Sequence, residues 1–240
     1  MTSRKVTTLQ FATAPNDYQA NLDKLIALIK AHQTSDIIIA PEVILTGFDY
    51  DYFDEAIDFY HYAINSLRPL IGERMLIFTL IHSTPNGIVN RAIVMHRHQI
   101  IYSQDKAKLF RLGDEHQFFS SGSSDHITKF QVDRLTYGVL ICFELRFKEL
   151  WQRLEGCDII LIPAKWGKPR KSHLETLSRA LAIMNQCYVI VSNASDEDMA
   201  SSSAIISPNG DVIMNDRAEA ISDTIDLKEI KKMRRYLDMR

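Results

Sequence analysis

Short runs of almost entirely apolar residues alternate with segments of helical spacing, and this alternation constrains the fold more than any other feature of the chain. Residues 36–40 (Asp-Ile-Ile-Ile-Ala), 75–81 and 139–141 (Val-Leu-Ile) are typical of buried strands. Residues 16–32 and 173–186 place apolar residues at the three- and four-residue spacing of amphipathic helices. The chain is therefore predicted to bury β-sheet beneath helices, in an α+β fold.

The order of the predicted elements narrows the architecture. A simple doubly wound fold alternates strands and helices more regularly than this chain does, so two packed sheets covered by helices are the natural arrangement. No linker-like composition and no internal repeat divides the sequence, so residues 1–240 are predicted to form one domain. We predict strands at 5–12, 36–40, 75–81, 89–95, 99–102, 126–132, 136–142, 158–163, 187–193 and 220–225, a hairpin at 204–215, a loop at 105–122, and helices at 16–32, 54–71, from Cys142 to about 154, and at 173–186.

Composition excludes several classes of protein. Apolar residues make up 46% and charged residues 24% of the 240 residues, and the net charge of −2 argues against a nucleic-acid surface. No apolar run approaches the roughly 20 residues that cross a bilayer, and the first residues lack a signal-peptide core. The three cysteines cannot all pair and lack metal-ligand spacing. We therefore predict a cytoplasmic protein with reduced thiols and no membrane or nucleic-acid partner.

Cys142 ends the apolar run at 139–141, where a predicted strand leads into a predicted helix. Backbone N–H groups and the positive end of a helix dipole would favour a thiolate at this position. A nucleophile is one interpretation. The other is a small buried apolar side chain, which is the usual role of a free cysteine.

Three other polar residues follow apolar or turn segments. Glu42 comes directly after the strand at 36–40 and Pro41, at the sheet edge where ligands and catalytic groups collect. Lys106 and Glu115 belong to the polar loop. For each of them alone, an ordinary solvated side chain is the better explanation. Together with Cys142 they supply a nucleophile, a base and a cation, which is the set that acyl transfer requires.

Sequence motifs around these residues resemble those of the nitrilase superfamily of carbon–nitrogen hydrolases. The resemblance includes Pro41-Glu-Val-Ile-Leu-Thr-Gly-Phe48, Asp105-Lys-Ala-Lys-Leu-Phe110 and Gly138-Val-Leu-Ile-Cys-Phe-Glu-Leu-Arg-Phe147. It continues through Val89-Asn-Arg-Ala, Pro163-Ala-Lys-Trp and Pro169-Arg-Lys-Ser-His173, and so covers nearly the whole chain. The resemblance implies a four-layer α-β-β-α sandwich.

The same resemblance implies a role for each matched residue. Cys142 would be the nucleophile, Glu42 the general base and Lys106 the oxyanion stabiliser, with Glu115 as a second glutamate that orients the substrate and the lysine. The backbone N–H of Phe143 could join Lys106 in stabilising the oxyanion. No metal or organic cofactor is required.

Within the superfamily, the chain looks most like the short omega-amidase-like enzymes, which act on side-chain amides of small keto or dicarboxylic acids. A basic residue should then hold the substrate carboxylate, and the candidates are Arg111, Arg146 and Lys165, with Trp166 also assigned to substrate binding. Arg146 has an alternative role, because family members use this arginine to brace the loop around the cysteine.

The sequence departs from the family pattern at five positions, which put substrate choice and rate in doubt more than the reaction class. Glu144 replaces the usual aspartate, Lys108 a histidine and Leu174 a tryptophan. Later in the predicted helix at 173–186, before Asn185, an arginine and a glutamate are replaced by the apolar residues Leu181 and Met184.

Other functions remain open at this stage. A carbamoyl group or a nitrile could be the substrate, because all branches share the same core residues. A catalytically silent scaffold is a further alternative, although decay would usually remove the nucleophile, base or lysine. The resemblance also implies a homodimer or higher homo-oligomer, formed through helices within 144–154 and 173–184.

Overall fold

A computed structural model describes residues 2–238, so the ends of the predicted 1–240 domain (Met1, Met239 and Arg240) lie outside the described residues. The described residues form two six-stranded sheets and six α-helices. The strands are β1 (Ser3–Leu9), β2 (Ile37–Ile39), β3 (Met75–Thr84), β4 (Gly87–His96), β5 (Gln99–Asp105), β6 (Phe130–Val132), β7 (Leu135–Val139), β8 (Ile159–Ala164), β9 (Tyr188–Asn193), β10 (Ala204–Ile206), β11 (Val212–Met214) and β12 (Ala220–Asp226). The helices are α1 (Tyr18–Ala31), α2 (Phe53–Ile71), α3 (Glu115–Phe118), α4 (Lys148–Arg153), α5 (Lys171–Met184) and α6 (Lys228–Tyr236).

The two sheets have the same plan. The first has the order β12-β1-β2-β3-β4-β5 and the second β11-β10-β9-β8-β7-β6. In the first, β1, β2 and β3 are parallel, and in the second, β7, β8 and β9 are parallel, while the flanking strands pair antiparallel. Each sheet therefore has a parallel centre, and the segments that contain Glu42, Cys142 and Lys165 follow the carboxyl ends of these central strands.

Alternation along the strands explains the layers. On β2, Ile37 and Ile39 belong to the core that includes the second sheet, whereas Ile38 belongs to the core beneath α1 and α2. The second sheet packs in the same way against α4 and α5, whose Leu150 and Leu181 are fully buried. The predicted α+β sandwich of four layers, α-β-β-α, is thereby confirmed.

The region after the strand that precedes Cys142 differs from the prediction. The strand ends at Val139 and the single predicted helix is divided: residues Cys142–Arg146 form a 3-10 helix, and α4 begins only at Lys148. Cys142 itself has a φ of +46°, in the left-handed region, which turns the chain three residues after the strand has ended. The predicted loop at 105–122 contains a 3-10 turn (Arg111–Gly113) and the short helix α3.

No helix among residues 2–238 is long and apolar enough to cross a membrane.

Leu161 tests the buried centre of the second sheet. It lies on β8, between β7 and β9, and is fully buried, so Leu161→Ala should lower the free energy of unfolding by about 2–5 kcal/mol. The matched control is Leu112→Ala, because Leu112 is 76% exposed and its truncation should change stability by about 0.5 kcal/mol or less. Urea unfolding measures both; equal effects of the two substitutions would contradict the assigned packing.

Candidate active site

Four segments from the two sheets converge on one buried cluster. Glu42 follows β2, Lys106 follows β5, Cys142 follows β7, and Glu115 is the first residue of α3. The backbone fixes the lysine: its N–H donates to the Asn90 carbonyl at 2.8 Å, and its own carbonyl accepts from Gly122 N–H at 2.9 Å. The site is thus built where strand ends from both sheets meet.

Lys106 is the centre of the cluster. Its Nζ donates to Glu42 Oε1 and to Glu115 Oε1, both at 2.7 Å, and the lysine and Glu42 side chains are fully buried. Burial alone would lower the pKa of Lys106, but the two carboxylates outweigh burial and raise it. Burial raises the pKa of Glu115, against the opposing effect of Lys106. The lysine is therefore a permanent cation.

Further donors hold both carboxylates in place. Glu42 Oε1 also accepts from Asn90 Nδ2 at 2.7 Å, and Oε2 accepts from the backbone N–H of Lys165 at 3.2 Å. Glu115 Oε2 accepts from Phe110 N–H at 2.9 Å. Asn90 was not among the predicted site residues, although it stands in the Val89-Asn-Arg-Ala motif.

Cys142 is 7% exposed beside this cluster. Burial and the negative charge of Glu42 raise the pKa of its thiol well above the ordinary value, against Lys106 and the backbone N–H of Lys165, which lower it. The thiolate expected at a helix N-terminus therefore meets an opposing effect, because burial and the Glu42 charge favour the neutral thiol. A thiol in this position needs a base to act as a nucleophile, and Glu42 is adjacent.

Glu144 joins the segment of Lys106 to that of Cys142. Its carboxylate is fully buried and accepts from Ala107 N–H at 2.6 Å and from Ile141 N–H at 2.7 Å, the residues that follow the lysine and precede the cysteine. Gln104 Nε2 donates to the same carboxylate at 3.4 Å. The departure at this position thus carries structural hydrogen bonds that tie the two segments together.

A cavity of about 370 Å³ opens onto the sulfur of Cys142. Of the predicted substrate-binding residues, Phe143, Arg146, Lys165 and Trp166 line it. Arg111 does not: it is exposed and borders a neighbouring depression. Aromatic rings form much of the wall, contributed by Phe48, Tyr50, Phe110, Phe143 and Trp166. Three further lining residues were not predicted from the sequence: Arg170, Asp198 and Met199. Of these, only Arg170 belongs to a family-like motif, Pro169-Arg-Lys-Ser-His173.

The cationic side chains of the cavity differ in their partners. Lys165 Nζ donates to Asp196 Oδ2 at 2.7 Å and to Thr13 Oγ1 at 3.1 Å, so its charge is already compensated. Arg146 donates to His173 Nδ1 at 2.9 Å and its guanidinium lies 4.8 Å from the Trp166 ring centre. These contacts also connect the cysteine loop to α5, as a bracing role requires.

The remaining departures lie away from the cluster. Lys108 pairs with Glu149 at 3.2 Å and packs over the Phe147 ring. Leu174 and Leu181 are buried, whereas Met184 is 55% exposed. Among residues 2–238, no group of three or more His, Cys, Asp or Glu side chains is arranged to hold a metal ion.

The electrostatics of Cys142 can be tested by alkylation. Removing a negative charge in Glu42→Gln should lower the thiol pKa, and removing a positive charge in Lys106→Met should raise it. The pH dependence of iodoacetamide labelling, followed on the Cys142 peptide by mass spectrometry, measures both shifts. Glu155→Gln is the control, because Glu155 is an exposed glutamate and its loss should leave the curve unchanged. An upward shift in Glu42→Gln would contradict the assigned geometry.

Glu144 should make the stability of the protein depend on pH. Burial raises its pKa to about 7, so the folded protein holds a proton that the unfolded chain releases near pH 4.5. This contribution to stability is present below pH 4.5 and is lost as the pH rises through 7. Glu144→Gln lacks the titration and leaves one backbone N–H unpaired, at a cost of about 1–3 kcal/mol.

The stability advantage of the wild type over Glu144→Gln should therefore be larger at pH 5 than at pH 8 in urea unfolding. Glu155→Gln is again the matched control and should differ little from the wild type at either pH. A Glu144→Gln difference that grows with pH would refute the assignment.

Comparisons with known proteins agree with this geometry. The carbon-nitrogen hydrolase family profile matches residues 5–235. The chain is 30% identical over 244 residues to a 2-oxoglutaramate amidase of Bacillus subtilis, covering 95% of this chain and 93% of the relative. It is 31% identical to the omega-amidase YafV of Yersinia enterocolitica, covering 82% of this chain and 77% of the relative.

A solved structure has the same fold. A CN-hydrolase superfamily protein from Xanthomonas campestris superimposes with a TM-score of 0.89 at 23% identity, over 99% of this chain and 96% of that one. The family match and the relatives extend over nearly the whole described chain. This chain belongs to the carbon–nitrogen hydrolase family of the nitrilase superfamily.

Proposed function

We propose that this protein hydrolyses the C–N bond of a small carboxylated amide through an acyl-enzyme on Cys142, releasing ammonia and a carboxylic acid. The main support is the buried Lys106 ammonium, which donates to both Glu42 and Glu115 at 2.7 Å. Cys142, the nearby thiol, lines a cavity. The relatives named omega-amidase and 2-oxoglutaramate amidase support the amide class.

The first half of the proposed reaction forms the acyl-enzyme. Glu42 takes the proton of the Cys142 thiol as the sulfur attacks the amide carbon. The carbonyl oxygen becomes an oxyanion, stabilised by Lys106 Nζ and the backbone N–H of Phe143. Glu42 then returns the proton to the amide nitrogen, the C–N bond breaks, ammonia leaves and a thioester remains.

The second half regenerates the enzyme. Glu42, again a carboxylate, takes a proton from a water molecule, whose oxygen attacks the thioester carbon. The C–S bond breaks, the carboxylic acid is released, and the sulfur recovers its proton from Glu42. Glu115 keeps Lys106 oriented throughout, and its own hydrogen bond from Phe110 N–H holds it in place.

A cytoplasmic homodimer is part of the same proposal. Ile183 and Met184 at the end of α5, and all three residues of β11, are partly exposed apolar side chains that a second copy could cover. The three cysteines are free, as a reducing compartment implies.

Ammonia release by the wild type and Cys142→Ala tests the proposal. The substrates are α-ketoglutaramate, succinamate, glutamine, a carbamoyl amine and an aliphatic nitrile. We expect turnover of the carboxylated amides by the wild type and a loss of about 10³-fold or more in Cys142→Ala, because the nucleophile is gone.

Cys157→Ala is the matched control, since Cys157 is a buried free cysteine outside the cavity. Preference for the carbamoyl amine or the nitrile would select another branch of the superfamily. A folded wild type that releases ammonia from none of the substrates would favour the silent scaffold, and full activity in Cys142→Ala would exclude the cysteine mechanism.

A further inference from the structure

The cavity is electrically asymmetric. Cys142 and Glu115 line one part of it, and behind Glu115 the Lys106 ammonium lies between Glu42 and Glu115, so one cation meets two carboxylates. A substrate carboxylate placed there would face two like charges at close range, which is unfavourable in a buried setting. A neutral amide group suits the part beside Cys142 and Glu115 much better.

Two guanidinium groups from different elements also line the cavity. Arg146 ends the 3-10 helix that begins at Cys142, and Arg170 ends a 3-10 turn (Lys168–Arg170) just before α5. Both are half-buried and line the cavity. Their mutual repulsion adds to burial in lowering the pKa of Arg146. The two charges are therefore close enough to interact.

Neither guanidinium is neutralised within residues 2–238. No carboxylate oxygen of these residues lies within 4.0 Å of either group, although Asp198 borders the cavity. Other arginines of the chain do have such partners, as in the ion pairs Arg91–Asp105, Arg153–Asp125 and Arg234–Asp158.

Packing holds each group in position instead. The guanidinium of Arg146 stacks on Trp166, and that of Arg170 lies 5.0 Å from the Phe110 ring centre. Aromatic rings fix the planes of the guanidinium groups and leave their edges free to donate hydrogen bonds.

We propose that Arg170, together with Arg146, binds the carboxylate of the substrate and so determines which amides the enzyme accepts. The ligand class is a short linear molecule with a carboxamide at one end and a carboxylate at the other. Its amide lies at Cys142 and its carboxylate between the two arginines. This inference rests on the proposed function and assigns the residues that select the substrate.

Arg170 is the better residue to change. Arg146 also donates to His173, so its loss disturbs the cysteine loop, whereas the Arg170 side chain donates no hydrogen bond within the described part of the chain. Arg170→Gln should raise KM for succinamate and lower kcat/KM about 10- to 100-fold, the usual effect of losing a hydrogen bond between charged groups.

The kinetic signature separates recognition from structure. For pentanamide, which has a similar length and no carboxylate, Arg170→Gln should lower kcat/KM far less than for succinamate, because pentanamide has no charged group for the guanidinium to bind. Arg170→Lys keeps the charge without the planar fork and should recover part of the succinamate activity. Lys168→Gln, an exposed charge in the same 3-10 turn and outside the cavity, is the control and should behave as wild type.

A binding measurement tests the carboxylate site independently of turnover. Calorimetric titration of Cys142→Ala with succinamate should show binding that weakens at least about 10-fold in Cys142→Ala/Arg170→Gln. Equal losses for succinamate and pentanamide, or unchanged succinamate affinity, would overturn the carboxylate site and leave the proposed function standing. If succinamate binding depends on Arg170 but the wild type turns over no amide, the proposed function is refuted and the carboxylate site stands.

Discussion

The buried ammonium of Lys106 between two carboxylates is the interaction on which the rest of the site depends. Removing three charges from water is costly, and their attraction repays that cost only when geometry and additional hydrogen bonds are nearly ideal. The structure meets this requirement with Asn90 and two backbone N–H groups directed at the carboxylate oxygens. Removing Lys106 would leave two buried carboxylates without their cation, so the lysine is the member on which the cluster depends.

This requirement explains why the site needs both sheets. Glu42 and Lys106 follow strands of the first sheet, while Cys142 and Lys165 follow strands of the second. Their relative positions are therefore set by the packing of one sheet on the other, through a core of fully buried side chains. Glu144 adds a direct connection between the lysine and cysteine segments. Rigid strands with short, tightly bonded turns hold the groups more precisely than long loops would.

The sequence predicted the parts of this structure that depend on local pattern. Apolar runs located most strands, helical spacing located α1, α2 and α5, and motif resemblance brought Glu42, Lys106, Cys142 and Glu115 together. The turn at Cys142 was missed because an apolar run gives no sign of where a strand ends or where a positive φ turns the chain. Long-range partners were equally invisible: nothing local indicates that Asp196 neutralises Lys165 while Arg170 meets no carboxylate. Substrate selection depends on such differences, and so the sequence left it open.

The raised pKa of the Cys142 thiol bears on how the proposed chemistry would run. A thiol of high pKa is rarely ionised at rest, but its sulfur is a stronger nucleophile once the proton has left. Transfer of that proton to Glu42 as the sulfur attacks keeps a single negative charge in play, which starts on the Glu42 carboxylate and moves onto the substrate oxygen. The negative charge then lies beside the permanent cation of Lys106, which already faces the site. The same burial that keeps the resting thiol neutral thus concentrates electrostatic stabilisation on the step in which charge develops.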